Sequence, residues 1–128
     1  MAAKTGLSSV VWRWGPVVAW MAVLFYVSGM HTRPGMTGFA WDDKLQHTVA
    51  YAILSALIWR ALGPGRSGWA RAALSIVLAA GYGVVDEVHQ AFVPGRTCSF
   101  LDWSCDASGA AFAAVVLSVV VKQRGTGR

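Results

Sequence analysis

Hydrophobic residues fall into four long runs, at positions 10–29, 45–62, 69–85 and 103–121, and the polar residues gather in the short intervals between them. Each run approaches the ~20 apolar residues that a helix needs to cross about 30 Å of hydrocarbon. A buried helix of a soluble domain would explain any one run alone. Four in succession, with so little polar sequence left to face water, favour a bilayer. Pro34, Pro64 and Pro94 fall one in each interval, each close to glycines, where helices must stop. Pro16 lies early in the first run, where it begins or kinks a helix. Trp12, Trp14, Trp41, Trp59, Trp69 and Trp103 flank the runs, as indoles at a headgroup boundary do, and Trp20 alone lies well inside one. The pattern predicts an all-α, four-helix transmembrane bundle. It forms one membrane domain over 1–128, with helices at about 10–30, 44–62, 69–92 and 102–121.

Composition supports this reading. The chain is 55% hydrophobic and only 13% charged, with a mean hydropathy of +0.49, which excludes an ordinary soluble core. The net charge of +5 does not indicate nucleic acid, because the basic residues form no cluster with interleaved aromatics. Their distribution sets a topology instead. Lys4, Arg13, Arg60, Arg66, Arg71, Lys122, Arg124 and Arg128 belong to the termini and the middle interval, and only Arg33, Lys44 and Arg96 to the other two. The positive-inside rule then puts both termini and the middle loop in the cytoplasm, and the first and third loops outside. The first run is too long for a signal-peptide core, and 27–29 makes a poor cleavage site, so it is expected to stay as a helix.

Every acidic residue, Asp42, Asp43, Asp86, Glu87, Asp102 and Asp106, stands at the edge of a run, and this topology sends all of those edges outward. Asp43, His47 and Tyr51 are four residues apart and share one helix face, with Lys44 beside it. An N-terminal cap accounts for one of Asp42 and Asp43. It does not account for an imidazole one turn deeper, where an inward-facing ionisable group marks a site. Tyr51 reads equally as part of that site or as an interfacial anchor.

Asp86 and Glu87 close the third run, where they oppose the helix dipole and need partners, for which Lys44 and Arg96 are the obvious candidates. Gln90 shares a face with Asp86. A structural salt-bridge network is the alternative to a site here. Asp102 reads as an N-cap of the fourth helix, with Asp106 one turn deeper on the same face. Arg96, in a Pro-Gly turn, has the planar fork that suits phosphate or carboxylate. Cys98 and Cys105 make no metal motif, but both lie on the outer side, where a disulfide is permitted. His31 and His89 read as interfacial side chains.

This ordered set resembles the VanZ-like family of small membrane proteins. The resemblance rests on Asp43-Lys44 with His47 and Tyr51, Asp86-Glu87 with Gln90 and Phe92, Pro94-Gly95-Arg96, and Asp102, Asp106 and Gly109, together with Ser28 at the end of the first helix. The family usually carries asparagine where this chain has Asp106, so a negative charge is added. The resemblance implies a membrane protein of a family whose founding member is linked to reduced teicoplanin susceptibility. Nothing in this chain identifies a drug.

The leading expectation is an envelope protein with an outward polar pocket that recognises a lipid head group or a cell-wall precursor. Asp43, Lys44, His47, Tyr51, Asp86, Glu87, Gln90, Arg96, Asp102 and Asp106 would form the ligand site. The alternative is a membrane-embedded enzyme on a lipid-linked substrate. It would use His47, Asp86, Glu87 and Asp102 for acid–base work, or His47, Glu87 and aspartates around a divalent metal. A transporter or proton channel is less favoured, because the middles of the runs lack charge. The expected partners are membrane lipids, and the sequence specifies no cofactor and no oligomeric state.

Overall fold

The computed structural model describes residues 6–30 and 40–126. It contains four helices, α1 (Leu7–Ser28), α2 (Ala40–Leu62), α3 (Gly68–Ala91) and α4 (Phe100–Thr126), and no strand among the described residues. α1, α3 and α4 are long and apolar enough to cross a membrane. α2 falls short on composition because its first two turns carry Asp42, Asp43, Lys44 and His47, although its 23 residues make it ~34 Å long. Both α2 and α3 pack against all three other helices. The four-helix expectation therefore stands, with the polar α2 and the apolar α3 in the middle of the bundle and α1 and α4 on its flanks.

Helix ends extend past the apolar runs where charge suits the dipole. α2 begins before Asp42 and Asp43, and α4 runs on past Lys122 and Arg124. Small residues set the close approach of α2 and α4. Ala110 and Ala114 are fully buried, and Ser55 donates to the Ala110 carbonyl at 2.9 Å. Gly109 lies so close to α2 that a Cβ there would stand 2.0 Å from the Thr48 carbonyl oxygen.

α1 is held differently. Of its residues only Val17 and Ser28 are buried, and polar clips secure it at four levels. Trp20 Nε1 donates to the Ala50 carbonyl (2.9 Å), Tyr82 donates to the Met21 carbonyl (2.7 Å) and Arg96 donates to the Met30 carbonyl (3.2 Å). The fourth clip follows from Pro16, which lies inside α1. Lacking an N–H, it leaves the Trp12 carbonyl four residues back without its helical donor. Arg60 of α2 donates to that oxygen at 3.0 Å.

At the end of the bundle where α2 stops and α3 starts, Trp59 departs from the headgroup-boundary expectation. It is 8% exposed, whereas Trp12, Trp41 and Trp69 do face outward. Arg71 lies over its ring, 3.3 Å from the centroid, and donates twice to its carbonyl (3.2 and 2.7 Å). That oxygen lies in the last turn of α2, where no helical donor follows. Trp59 Nε1 in turn donates to the Ser118 hydroxyl of α4 at 3.2 Å.

Candidate functional site

The opposite end of the bundle joins the start of α2, the end of α3 and the start of α4, and it collects the acids. On α2, the Lys44 ammonium pairs with Asp102 of α4 and lies 3.6 Å from Asp43. His47, one turn deeper, is 4% exposed and sits between two carboxylates. Its Nδ1 is 2.7 Å from Asp106 Oδ1 and its Nε2 is 3.9 Å from Asp43 Oδ1. Tyr51 is 1% exposed and belongs to the core cluster, so it is a buried group and not an interfacial anchor.

On α3, Asp86 and Glu87 are both buried. Their bonds differ from the Lys44 and Arg96 pairing expected for them. Glu87 Oε2 accepts the Ser99 backbone N–H at 2.7 Å. Asp86 Oδ2 accepts a long 3.5 Å bond from Gln90, whose own carbonyl oxygen accepts Arg96 Nη2 at 2.8 Å. The reason lies in the register of α4: its first turn faces α2, so Asp102 meets Lys44 first. Asp102 is not the N-cap of α4, because the helix already begins at Phe100 and Asp102 lies in its first turn. The Ser99 hydroxyl accepts the Asp102 N–H at 3.2 Å and takes that role.

Asp106 is fully buried, one turn below Asp102. It reaches α3 because position 83 is glycine: a Cβ there would stand 3.1 Å from Asp106 Oδ2 and 3.2 Å from Trp103 Cδ1. His47, Glu87 and Asp106 thus converge from three different helices, with one ligating atom from each lying within 4.8 Å of the others. Among the described residues, several buried oxygens have no hydrogen-bond partner. They are Asp86 Oδ1, Glu87 Oε1, Asp106 Oδ2 and the hydroxyls of Tyr51 and Ser28. Buried polar atoms are normally satisfied, so five together at one end of a bundle call for an explanation.

All ten ligand-site residues expected from the sequence gather at this end. His89 stacks on Phe25 at 3.9 Å and ties α1 to α3, whereas His31 lies outside the described residues. Cys98 and Cys105 are not bonded to each other.

Sequence reasoning missed three contributors: the Ser99 amide, the Met30 carbonyl, and a groove between α1 and α2. The groove has a volume of about 500 Å³. Trp20, Val23, Leu24 and Val27 of α1 and Leu45, Val49 and Ile53 of α2 line its walls. Ser28, His47, Tyr51 and Asp86 also line it. No sequence signal marks this groove, since it depends on how far α1 stands from α2.

A family model described as VanZ/LLP1 matches residues 14–121. No curated protein and no solved structure matches the chain.

Proposed function

The chain belongs to the VanZ/LLP1 family, and from that premise and the site's geometry we propose that it is a multi-pass cell-membrane protein that binds a membrane lipid or a lipid-linked cell-wall precursor. One aliphatic chain lies in the groove between α1 and α2, and the polar head reaches the buried groups at its end. The observation that carries this reading is the groove itself. Its walls are mostly apolar residues from two helices, and the polar groups that line it are Ser28, Gln46, His47, Tyr51 and Asp86. A molecule that fills such a space is hydrocarbon along most of its length and polar at one tip. Lys44 and Arg96 bring positive charge toward an anionic head group, and the oxygens of Ser28, Tyr51 and Asp86, which line the groove, accept from its hydroxyls or amines.

The distribution of Lys and Arg supports a cytoplasmic position for both termini and an outward position for the acidic end. Reporter fusions test this directly: insertions beside Arg66 and beside Arg96, at opposite ends of α3, are expected to report opposite compartments. The same compartment for both would overturn the topology.

Lipid binding is tested by native mass spectrometry of protein in mild detergent, offered an anionic phospholipid and a polyprenyl phosphate in turn. One lipid per chain is expected for one or both. Val27→Trp fills the groove from the α1 wall and should abolish retention, and Arg96→Ala should weaken it. Equal retention by all three proteins would sink the proposal.

A further inference from the structure

The geometry points to a divalent transition-metal site formed by His47, Glu87 and Asp106. These residues come from α2, α3 and α4 and are 4%, 3% and 0% exposed. Their ligating atoms lie within 4.8 Å of one another. Metal–ligand bonds of about 2.0–2.2 Å set tetrahedral ligands about 3.4 Å apart. Side-chain adjustments of less than a bond length would therefore close the triad on an ion. One imidazole with two carboxylates is a donor set suited to zinc or manganese.

Two observations separate this triad from an ordinary acidic cluster. The first is the set of orphaned acceptors. Glu87 uses Oε2 for the Ser99 amide and Asp106 uses Oδ1 for His47, yet Glu87 Oε1 and Asp106 Oδ2 are buried with no hydrogen-bond partner. A cation satisfies acceptor oxygens that no donor reaches. The second observation is charge. Asp86, Glu87 and Asp106 are three buried carboxylates within electrostatic reach of one another. Burying them without compensation is expensive.

A second group, Asp43, His47 and Asp102, also has metal-ligand spacing. The Lys44 ammonium already pairs with Asp102 there and lies 3.6 Å from Asp43, so that position holds its cation. The deeper triad is the one left to a metal. His47 belongs to it and also lines the α1–α2 groove, so an ion held there would stand at the polar end of the proposed lipid site. Metal binding itself does not depend on the lipid reading.

The test uses full-length protein in detergent, stripped with a chelator, dialysed, and loaded separately with Zn²⁺ and Mn²⁺. Bound metal is measured by elemental mass spectrometry and affinity by calorimetry. One ion per chain is expected for at least one of the two metals, with at least a tenfold loss of affinity in Glu87→Gln and in Asp106→Asn. Both variants keep side-chain volume and an oxygen facing the Ser99 N–H or His47 Nδ1. Helical content and monodisperse elution establish that they fold, and either variant suffices if the other does not. Substoichiometric metal in the wild-type protein would mean that protons neutralise the acids, and would overturn the site. So would stoichiometric binding that every folded variant retains, because the ion would then lie elsewhere. Lipid retention is measured separately, so its failure cannot be mistaken for a failure of the metal site.

Discussion

The two ends of this bundle both bury charge, and they treat it in opposite ways. Where α2 stops and α3 starts, Arg71 is spent entirely on structure. Its guanidinium donates twice to the Trp59 carbonyl and covers the Trp59 ring, and the indole N–H continues to Ser118. No side-chain atom of that network is left buried without a partner. At the other end, Asp86, Glu87 and Asp106 each leave an oxygen unused, and so do the hydroxyls of Tyr51 and Ser28. A closed network holds helices together, and on the proposed reading the open one receives a ligand. The contrast is between buried polarity that closes on itself and buried polarity that leaves acceptors open.

The strongest way to break the comparison is to disturb the packing that brings the acids together. In Gly109→Ala a methyl would stand 2.0 Å from the Thr48 carbonyl oxygen, a backbone atom that can yield only if α2 moves. Overpacking costs about 1–3 kcal/mol and more where backbone must shift, so this variant is expected at or beyond the top of that range. A large fall in melting temperature in detergent would report it. Wild-type melting would mean that α2 and α4 do not approach so closely.

A paired measurement then sharpens the contrast. Arg71→Ala removes two hydrogen bonds and the cover over Trp59, for an expected loss of about 1–3 kcal/mol. Glu87→Gln and Asp106→Asn remove charge without changing volume, and should melt within about 0.5 kcal/mol of the wild type or above it, as substitutions at strained functional sites do. Thermal unfolding monitored by circular dichroism compares the three. If the amides cost as much as Arg71→Ala, the acids are structural and the contrast disappears.

Much of this was legible in the linear order of residues. Hydropathy marks four helices because the requirement to bury a run of ~20 apolar residues is local to the run. The spacing of Asp43, His47 and Tyr51, and of Asp102 and Asp106, follows from helical periodicity alone. Because antiparallel helices alternate direction, residues at alternate run edges had to meet at one end. That these residues form a set was therefore readable in advance.

Which of them pair was not. Lys44 was expected beside Asp86 and Glu87 and instead meets Asp102, because partner choice depends on the rotation of α4 about its axis and on its register against α2. Gly109 and Gly83 set the approach of α4 to its neighbours through contacts 61 and 23 residues away from their partners Thr48 and Asp106. The capping of α4 by Ser99, the inward turn of Trp59 and the groove beside α1 have the same origin. Periodicity along one helix is a property of its own backbone, whereas the facing of two helices is settled only when side chains from distant stretches of chain compete for the same space.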